Sequence, residues 1–262
     1  MNILTQSALK TKNGLPYFEI PQIAKLKWVQ HAFLTRKGGG SPPPFDSLNV
    51  GENSGDRKDH VYQNQDRIAT VFGFTRKPLI LLKQEQKDGI LFLKKTVNTI
   101  SSFLEYDAMI TDASDMILGI QTADCIPIFL VDQKRKVIAA VHAGRQGTAL
   151  HITRKVLKKM EEEFACSPED LIIALGPSIG PCCYEIDKKA FLPEWEPFST
   201  LKGGERWVAD LAGINVAQMK EEGIEEEQIF LVNLCTSCHT DLFFSYRKEG
   251  QTGRQLSFIG IL

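Results

Sequence analysis

The chain has 262 residues, of which 43% are hydrophobic and 24% are charged, a composition typical of a compact globular protein. Its 31 Lys and Arg residues nearly balance its 32 Asp and Glu residues, so no general electrostatic field favours nucleic acid or an anionic membrane surface. Small molecules are therefore the expected partners.

Targeting segments are not evident in the sequence. The first residues contain no apolar core for a signal peptide, and no later run approaches the roughly 18 apolar residues of a membrane span. We therefore expect a cytoplasmic protein with no membrane partner. In that compartment the six cysteines should remain reduced, so each is buried, a ligand or a nucleophile.

The first half of the chain predicts one strand, one loop, one helix and then a series of strands. Residues 28–35 read as a strand, and residues 36–56 are rich in glycine, proline and small polar residues. Residues 56–72 place apolar side chains at helical spacing, with Ser54 or Asp56 as the cap. Six short apolar segments then follow within residues 79–141, which predicts an antiparallel or mixed sheet.

The second half predicts two helices and further strands. Helical spacing extends over residues 148–164 and again around residues 207–222. Strand-like segments lie at residues 170–175, 229–235, 242–247 and 255–262. Because strands and helices do not alternate regularly, the pattern predicts an α+β fold, and we expect a single domain over residues 1–262.

Two motifs match known site patterns but lack the required context. KGGGS is followed by three prolines, not by the helix that a dinucleotide site needs. CTSCH, residues 235–239, matches a haem-attachment pattern and half of a zinc site, yet no export signal or second CxxC accompanies it. We therefore expect a structural or incidental role for CTSCH. The pair Cys182 and Cys183 is expected in a tight turn of a site-lining loop, with a vicinal disulfide as the uncommon alternative.

The candidate chemistry centres on Cys125 and His142. Cys125 precedes an apolar strand and His142 ends another, so neighbouring strands can present both side chains together. An imidazole can populate a thiolate at neutral pH, whereas the structural alternative is a buried cysteine beside a core histidine. Asp107 and Asp124 can orient an imidazole, act as acid and base, or simply form turns.

Four arginines form a second candidate group. They lie in predicted loops, and a guanidinium group suits the phosphate or carboxylate of a small ligand, although surface solvation is equally compatible with the pattern. The four residues are Arg36, Arg145, Arg247 and Arg254.

The motifs occur in an order that resembles a known family. HAFLTRKGGGS, LKQEQ, DAMIT, TADCIP, AAVHAG, GPSIGPCCYEI and SYRKEGQTGRQLSFI are similar to motifs of the laccase-domain purine nucleoside phosphorylase family, from about His31 onward. Its members are also called YfiH or YlmD proteins, polyphenol oxidases and peptidoglycan editing factors. The resemblance implies a mixed β-sandwich flanked by helices, similar to the cysteine hydrolases related to cytotoxic necrotizing factor.

The resemblance also implies an activity and a site. It implies phosphorolysis of adenosine, inosine and methylthioadenosine, together with adenosine deamination, so a purine nucleoside and phosphate are the expected small-molecule partners. A family site of His, Cys and His holds zinc or copper, and Cys125 and His142 match two of these positions as catalytic and metal-binding residues. The substrate-binding residues are then expected to be Arg36, Asn49, Gln84 and Arg145, with the GGG loop and the C-terminal motifs forming the pocket.

Two departures from the family pattern affect this site. Gln86 stands where the family has its first ligand histidine, and the segment after His142 reads AGRQG in place of AGWRG. A neutral amide oxygen suits zinc or copper poorly, so metal binding should be weak or absent unless His31 or His60 substitutes. Three alternatives therefore stay open: a Cys-His hydrolase that edits peptidoglycan precursors, a copper-dependent polyphenol oxidase, and a paralogue without activity.

Overall fold

Two six-stranded sheets form the framework of the protein in a computed structural model that describes residues 7–93 and 105–262. With strands numbered along the chain, the first sheet has the order β1 (Lys10–Lys12), β2 (Leu15–Phe18), β3 (Val29–Leu34), β15 (Gln255–Ile261), β7 (Ile117–Thr122), β4 (Leu79–Leu81). The second has the order β14 (Ile229–Leu231), β10 (Leu171–Leu175), β8 (Ile126–Asp132), β9 (Val137–Ala143), β6 (Ala108–Thr111), β5 (Ile90–Leu93).

The sheets are mixed, as the sequence predicts. The pairs β4 with β7, β5 with β6, and β10 with β14 are parallel, and the remaining pairs of the two sheets are antiparallel. A smaller three-stranded sheet has the order β11 (Glu185–Asp187), β13 (Arg206–Ala209), β12 (Ser199–Gly203).

The α-helices of the described residues have between 4 and 15 residues each. They are α1 (Pro21–Ala24), α2 (Lys58–Phe72), α3 (Arg145–Ala149), α4 (Ile152–Phe164), α5 (Leu211–Glu221) and α6 (Tyr246–Glu249). Single turns of 3-10 helix lie at Pro168–Asp170 and Glu226–Gln228, and a longer one lies at Pro193–Phe198. None of the helices in the described ranges has the length and apolar character needed to span a bilayer.

The two large sheets pack face to face, because successive side chains of β8 point alternately to the two sides of its sheet. Ile128 and Leu130 point into the cluster that includes α4 and α5, whereas Phe129 and Val131 point into the cluster shared with the first sheet. Phe129 stacks on Phe33 of β3, with the ring centroids 4.8 Å apart. A strand that is apolar on both faces thus lies between a helix layer and a second sheet.

Helix α2 covers the opposite side of the sandwich. Its Ile68 and Phe72 pack in one cluster with Phe258 of β15, and the Phe72 and Phe258 rings meet edge to face at 4.9 Å. The order of layers is therefore helix, sheet, sheet, helix. The predicted mixed β-sandwich flanked by helices is confirmed.

The helix predicted over residues 148–164 is divided in two. His151 has a left-handed φ of +56° between α3 and α4. On either side of this turn, Asn215 of α5 donates from Nδ2 to Thr148 Oγ1 at 2.9 Å and accepts from Thr153 Oγ1 at 2.8 Å. The break lets both helical pieces bond the same buried amide, which apolar spacing does not predict.

Two further local predictions are wrong. The strand expected at residues 242–247 is a turn leading into α6, because the Phe244 N–H bonds the Gln255 side chain at 2.8 Å and not a neighbouring strand. The cap of α2 is Arg57, because the Asp56 carboxylate instead accepts from Asn49 Nδ2 at 3.0 Å and from the Arg57 N–H at 2.8 Å.

Candidate functional site

A cleft of about 1110 Å³ opens at one end of the sandwich, where β7 and β9 finish and β8 begins. Side chains from both large sheets and from the segments that follow them line it. Its polar and titratable lining residues include Gln84, Gln86, Asp124, Cys125, His142, Arg145, Tyr184, Tyr246, Arg247 and Arg254.

The structure brings Cys125 and His142 together in this cleft. Cys125 immediately precedes β8, and His142 lies in β9 opposite Pro127, so the antiparallel register places the two residues side by side. Both side chains line the cleft, and Cys125 is among the groups that raise the pKa of His142. Cys125 is half-buried and therefore accessible from the cleft, whereas His142 is buried.

Asp107 holds the other side of the imidazole. Its carboxylate is fully buried and lies 2.7 Å from His142 Nδ1, which leaves Nε2 for Cys125. Burial by itself lowers the pKa of His142. The negative charge of the Cys125 thiolate and the hydrogen bond to Asp107 outweigh it and raise that pKa to about 9. The arrangement therefore favours the protonated imidazole of His142.

The same carboxylate also anchors the loop that carries Gln86. The Asp107 oxygens accept from three successive backbone N–H groups, those of Glu85 at 3.3 Å, Gln86 at 3.0 Å and Lys87 at 2.7 Å. Gln86 itself has a left-handed φ of +58°. A Cβ added to Gly144 would lie 2.9 Å from Cys125 Sγ and 3.7 Å from Gln86 Oε1. The Gln86 side-chain oxygen and the Cys125 sulfur therefore both lie close to Gly144.

These donors do not complete a catalytic metal site. Such zinc sites use three protein ligands drawn from His, Cys and carboxylate, and here the third position carries a neutral amide oxygen. Within residues 7–93 and 105–262, no third His, Cys, Asp or Glu joins Cys125 and His142 in a metal-binding group. The donor set does not fit a resident zinc or copper ion.

The two histidines considered as substitutes lie elsewhere. His31 is buried in β3, and its Nε2 accepts from the Ile20 N–H at 2.8 Å. His60 is on α2, with Nδ1 lying 3.3 Å from Asp56 Oδ1. Neither residue lines the cleft, because β3 directs His31 between the sheets and α2 holds His60 against the loop that precedes it.

Asp124 connects Cys125 to three other segments. Its Oδ1 accepts from Thr236 Oγ1 at 2.7 Å, its Oδ2 accepts from the Arg247 N–H at 2.7 Å, and its carbonyl accepts from the Ile179 N–H at 2.9 Å. Asp124 also has a positive φ of +99°. Because it directly precedes Cys125, this network fixes the backbone from which the thiol projects.

The predicted substrate-binding residues fall into two pairs. Gln84 and Arg145 line the cleft, and the Gln84 amide bonds the backbone of Gln121 through both of its polar atoms, at 2.7 and 2.8 Å. Arg36 and Asn49 do not line it. Arg36 is buried over the Phe244 ring and bonds Glu249 Oε1 at 2.7 Å, and Asn49 Oδ1 accepts from the Arg254 N–H at 2.9 Å.

The GGG loop also lies outside the cleft, contrary to the expectation that it forms part of the pocket. Gly39 packs so tightly that an added Cβ would lie 2.2 Å from the Ser47 carbonyl oxygen. The Gly40 N–H bonds Asn64 Oδ1 at 2.9 Å. These glycines allow the loop to fold back on itself, and the later residues 51–54 reach the cleft instead.

Three arginines contribute positive charge to the cleft. Arg145 begins α3 directly after the residue that follows β9, and Arg254 is half-buried with its Nη1 donating to the Gly253 carbonyl at 2.8 Å. Arg247 lies over the Tyr184 ring, 4.9 Å from its centroid. Sequence reasoning named these arginines but missed Tyr184, whose only signal is its place directly after the cysteine pair.

A second group of reactive side chains lies outside the cleft. The ligand atoms of four cysteines lie within 4.8 Å of one another, an arrangement that can hold a metal ion. These cysteines are Cys182, Cys183, Cys235 and Cys238. CTSCH therefore does have a second pair of thiols, which the sequence supplies as adjacent residues from a distant loop and not as another CxxC.

The family follows from a comparison over most of the chain. Residues 30–262 match the family model described as multi-copper polyphenol oxidoreductase laccase. The chain belongs to this family. Purine nucleoside phosphorylase YfiH of Escherichia coli (strain K12) is 34% identical over 248 residues, which are 93% of this chain and 98% of that protein. Purine nucleoside phosphorylase YlmD of Geobacillus stearothermophilus is 33% identical over 240 residues, 86% of this chain and 88% of that protein.

Solved structures agree with this assignment. The crystal structure of the Bacillus licheniformis hypothetical protein YfiH superimposes with a TM-score of 0.90 at 28% identity, covering 99% of this chain and 100% of that one. The crystal structure of YlmD from Geobacillus stearothermophilus gives a TM-score of 0.89 at 28% identity, covering 97% of this chain and 99% of that one. The family membership implied by the sequence motifs is confirmed.

Proposed function

We propose that the protein is a purine nucleoside phosphorylase that acts on adenosine, inosine and methylthioadenosine with inorganic phosphate as the second substrate. The observation that carries the proposal is the chain of contacts from Asp107 through His142 to Cys125, which lies in one cleft with three arginines. The names of the relatives support this chemistry. Guanidinium groups suit the phosphate, and the apolar and aromatic part of the lining suits a nucleoside.

The proposed reaction breaks the bond between ribose C1′ and the purine nitrogen. The bonding electron pair leaves with the purine, which takes a proton, while a phosphate oxygen forms the new bond to C1′. His142 supplies this proton from Nε2, since Asp107 occupies Nδ1, and it regains a proton from solvent. The products are the free base and ribose 1-phosphate, or 5-methylthioribose 1-phosphate when methylthioadenosine is the substrate.

The other groups bind and orient. Arg145, Arg247 and Arg254 hold the phosphate and stabilise the charge that it carries during transfer. Cys125 lies beside the imidazole in the cleft, Gln86 presents its amide to the same space, and Gln84 holds the Gln121 backbone that lines it. Substrate contacts of Arg36 and Asn49 stay predictions, and their present partners give both residues a role in holding the surrounding loops. No step passes through a metal ion.

The test is phosphate-dependent release of hypoxanthine from inosine by the purified protein. We expect ribose 1-phosphate to form in equal amount, and we expect Cys125→Ala and His142→Ala to abolish it. Cys166→Ala is the matched control, because Cys166 is buried below α4, outside the cleft lining, and should leave turnover intact. Folded wild-type protein that releases no hypoxanthine from inosine, and no adenine from adenosine or methylthioadenosine, contradicts the proposal. Inosine formed from adenosine in the same assay measures the proposed deamination.

A second candidate function rests on the same three residues. A carboxylate, an imidazole and a thiol in series form the arrangement that activates a cysteine nucleophile, here toward an amide of a peptidoglycan precursor. In this case an electrophilic substrate analogue should add covalently to Cys125, and His142→Ala should abolish the adduct seen by intact mass. Equal labelling of the wild type and His142→Ala contradicts this alternative.

Location and binding partners beyond these substrates are also part of the proposal. We infer that the enzyme has neither nucleic-acid nor membrane partners, because the charge of the chain is balanced. We also infer a cytoplasmic location, which suits the six free cysteines.

A further inference from the structure

The four clustered cysteines come from two loops, which begin at the same end of two neighbouring strands of the second sheet. Cys182 and Cys183 lie in the loop after β10, and Cys235 and Cys238 lie in the loop after β14, the parallel neighbour of β10. Because parallel strands run in the same direction, both loops begin on one side of the sheet. The topology therefore places two distant cysteine pairs opposite each other.

Backbone hydrogen bonds hold these two loops in register. Ser178 and Cys235 form a parallel β-bridge, in which the Ser178 N–H donates to the Leu234 carbonyl at 3.3 Å and the Thr236 N–H donates to the Ser178 carbonyl at 3.0 Å. The Gly180 N–H donates to Cys235 Sγ at 3.3 Å. Such N–H to sulfur bonds stabilise a negatively charged thiolate more than a neutral thiol.

The distances between the sulfur atoms match one shared ion. Cys238 Sγ lies 3.5 Å from Cys182 Sγ and 3.4 Å from Cys183 Sγ, and all four sulfurs lie within 4.8 Å of one another. In a tetrahedral zinc site with Zn–S bonds of about 2.3 Å, the sulfur atoms are about 3.8 Å apart. Two disulfides would instead separate the cluster into pairs, each with an S–S bond of about 2.05 Å.

We propose that Cys182, Cys183, Cys235 and Cys238 bind one zinc ion as a closed tetrathiolate site. On binding, the thiols release their protons to solvent and four Zn–S bonds form, with no change in oxidation state. A site with four protein ligands leaves no position for substrate, so the ion is structural. Thiolates favour zinc, and the reduced cysteines needed for the site are those expected in a reducing compartment.

The zinc site would fix one wall of the cleft. Tyr184 follows Cys183 directly and lines the cleft, and Ile179 bonds the Asp124 carbonyl from the same loop. From the other loop, Thr236 bonds Asp124 Oδ1 at 2.7 Å. Both loops that the ion joins therefore hold Asp124, the residue before Cys125. The inference requires neither the proposed reaction nor a metal at Cys125.

The experiment measures metal in three variants of the full chain. We expect one zinc ion per chain in the wild type and in Cys125→Ala/His142→Ala, where the cleft pair is removed. We expect its loss in Cys182→Ser/Cys238→Ser, two exposed positions at which serine fits, and its retention in Cys166→Ser. X-ray absorption at the zinc edge should show four sulfur neighbours at about 2.3 Å. Zinc absent from Cys125→Ala/His142→Ala, iron in its place, or zinc retained in Cys182→Ser/Cys238→Ser would overturn the inference.

A titration of the wild-type protein covers the case in which the double serine variant fails to fold. A mercurial reagent should release zinc in step with modification of four thiols, followed with a chromophoric chelator. Cobalt reconstitution of Cys125→Ala/His142→Ala should give the intense thiolate-to-cobalt charge-transfer band of a tetrathiolate. Absence of that band would also overturn the inference. So would disulfides among the four cysteines, found by peptide mapping of protein that was kept in reductant throughout purification.

Discussion

The buried Asp107 carboxylate lies 2.7 Å from His142 Nδ1, and it also accepts the backbone N–H of Gln86 at 3.0 Å. One side chain thus orients the imidazole and fixes the loop that faces it. Any change at Asp107 should therefore affect both the chemistry of His142 and the position of the Gln86 loop.

Asp107→Asn should lower turnover by roughly 10²- to 10⁴-fold, the usual contribution of a positioned acid or base. The amide cannot accept all of the hydrogen bonds that the carboxylate accepts, so the free energy of unfolding should also fall by about 1–3 kcal/mol. Steady-state kinetics and urea denaturation measure the two effects.

Asp132→Asn is the matched control for this change. Asp132 is equally buried and accepts two backbone N–H groups, from Lys134 at 2.8 Å and Arg135 at 2.7 Å, at the far end of β8. It should lose stability while the folded fraction keeps its turnover. An equal loss of turnover in both variants would contradict the positioning role of Asp107.

Arg145→Gln should raise KM for phosphate about 10- to 100-fold, because a hydrogen bond to a charged group is worth about 1.5–3 kcal/mol. KM for the nucleoside should change little. Arg135→Gln is the control, since Arg135 lies on the surface and bonds the Ala165 carbonyl at 3.2 Å. A rise in KM for inosine without a rise for phosphate would place Arg145 at the nucleoside.

Gln86→His should create the metal site that the present donors lack. An imidazole nitrogen at this position would join Cys125 and His142 as a third ligand. We expect zinc affinity at the cleft to rise by roughly 10- to 100-fold or more, because even a residue that only orients a metal ligand contributes that much. Competition with a chromophoric chelator in the Cys182→Ser/Cys238→Ser background measures it.

Gln86→Leu serves as the control for that substitution, because it removes the amide without adding a ligand. Its zinc affinity should stay at the wild-type level. If Gln86→His binds zinc no better than Gln86→Leu, the alignment of Gln86 with the family's ligand histidine is wrong.

His31 should make stability depend on pH. Burial, with a smaller effect from Lys10, lowers its pKa to about 3, whereas its pKa in the unfolded chain is about 6.5. Its contribution is complete above the unfolded pKa and is lost as the pH falls toward 3, since only the unfolded state then binds the proton. Within this window it contributes a slope of about 1.4 kcal/mol per pH unit.

His31→Gln should remove that slope while its side-chain oxygen can still accept the Ile20 N–H. Denaturation curves at a series of pH values from neutral to mildly acidic measure it, with His60→Gln on α2 as the control. Identical pH profiles for the wild type and His31→Gln would show that His31 is not buried in its neutral form.

Sequence periodicity predicted the elements that are apolar on a regular face. β8 and β9 are long apolar runs, and their adjacency made the meeting of Cys125 and His142 predictable. Periodicity failed at residues 242–247, where Phe243 and Phe244 are both buried without a neighbouring strand. Burial alone does not distinguish a strand from an apolar turn.

Contacts between distant segments were beyond the reach of the sequence. The cysteine pairs could not be joined, because nothing in the sequence shows that β14 pairs with β10. Asp107 was recognised only as one of two candidate carboxylates for the imidazole. The single domain over residues 1–262 stays a prediction, and the pairing of β3 with β15 supports it by joining early and late segments in one sheet.

That central position of β15 has a consequence for synthesis on the ribosome. The first sheet places β15 between β3 and β7, both of which are translated much earlier. Until residues 255–261 emerge, β3 and β7 each present an unpaired hydrogen-bonding edge and an apolar face. The nascent chain should therefore depend on chaperones until residues 255–261 have emerged, and β15 should join the sheet after β3 and β7 have formed.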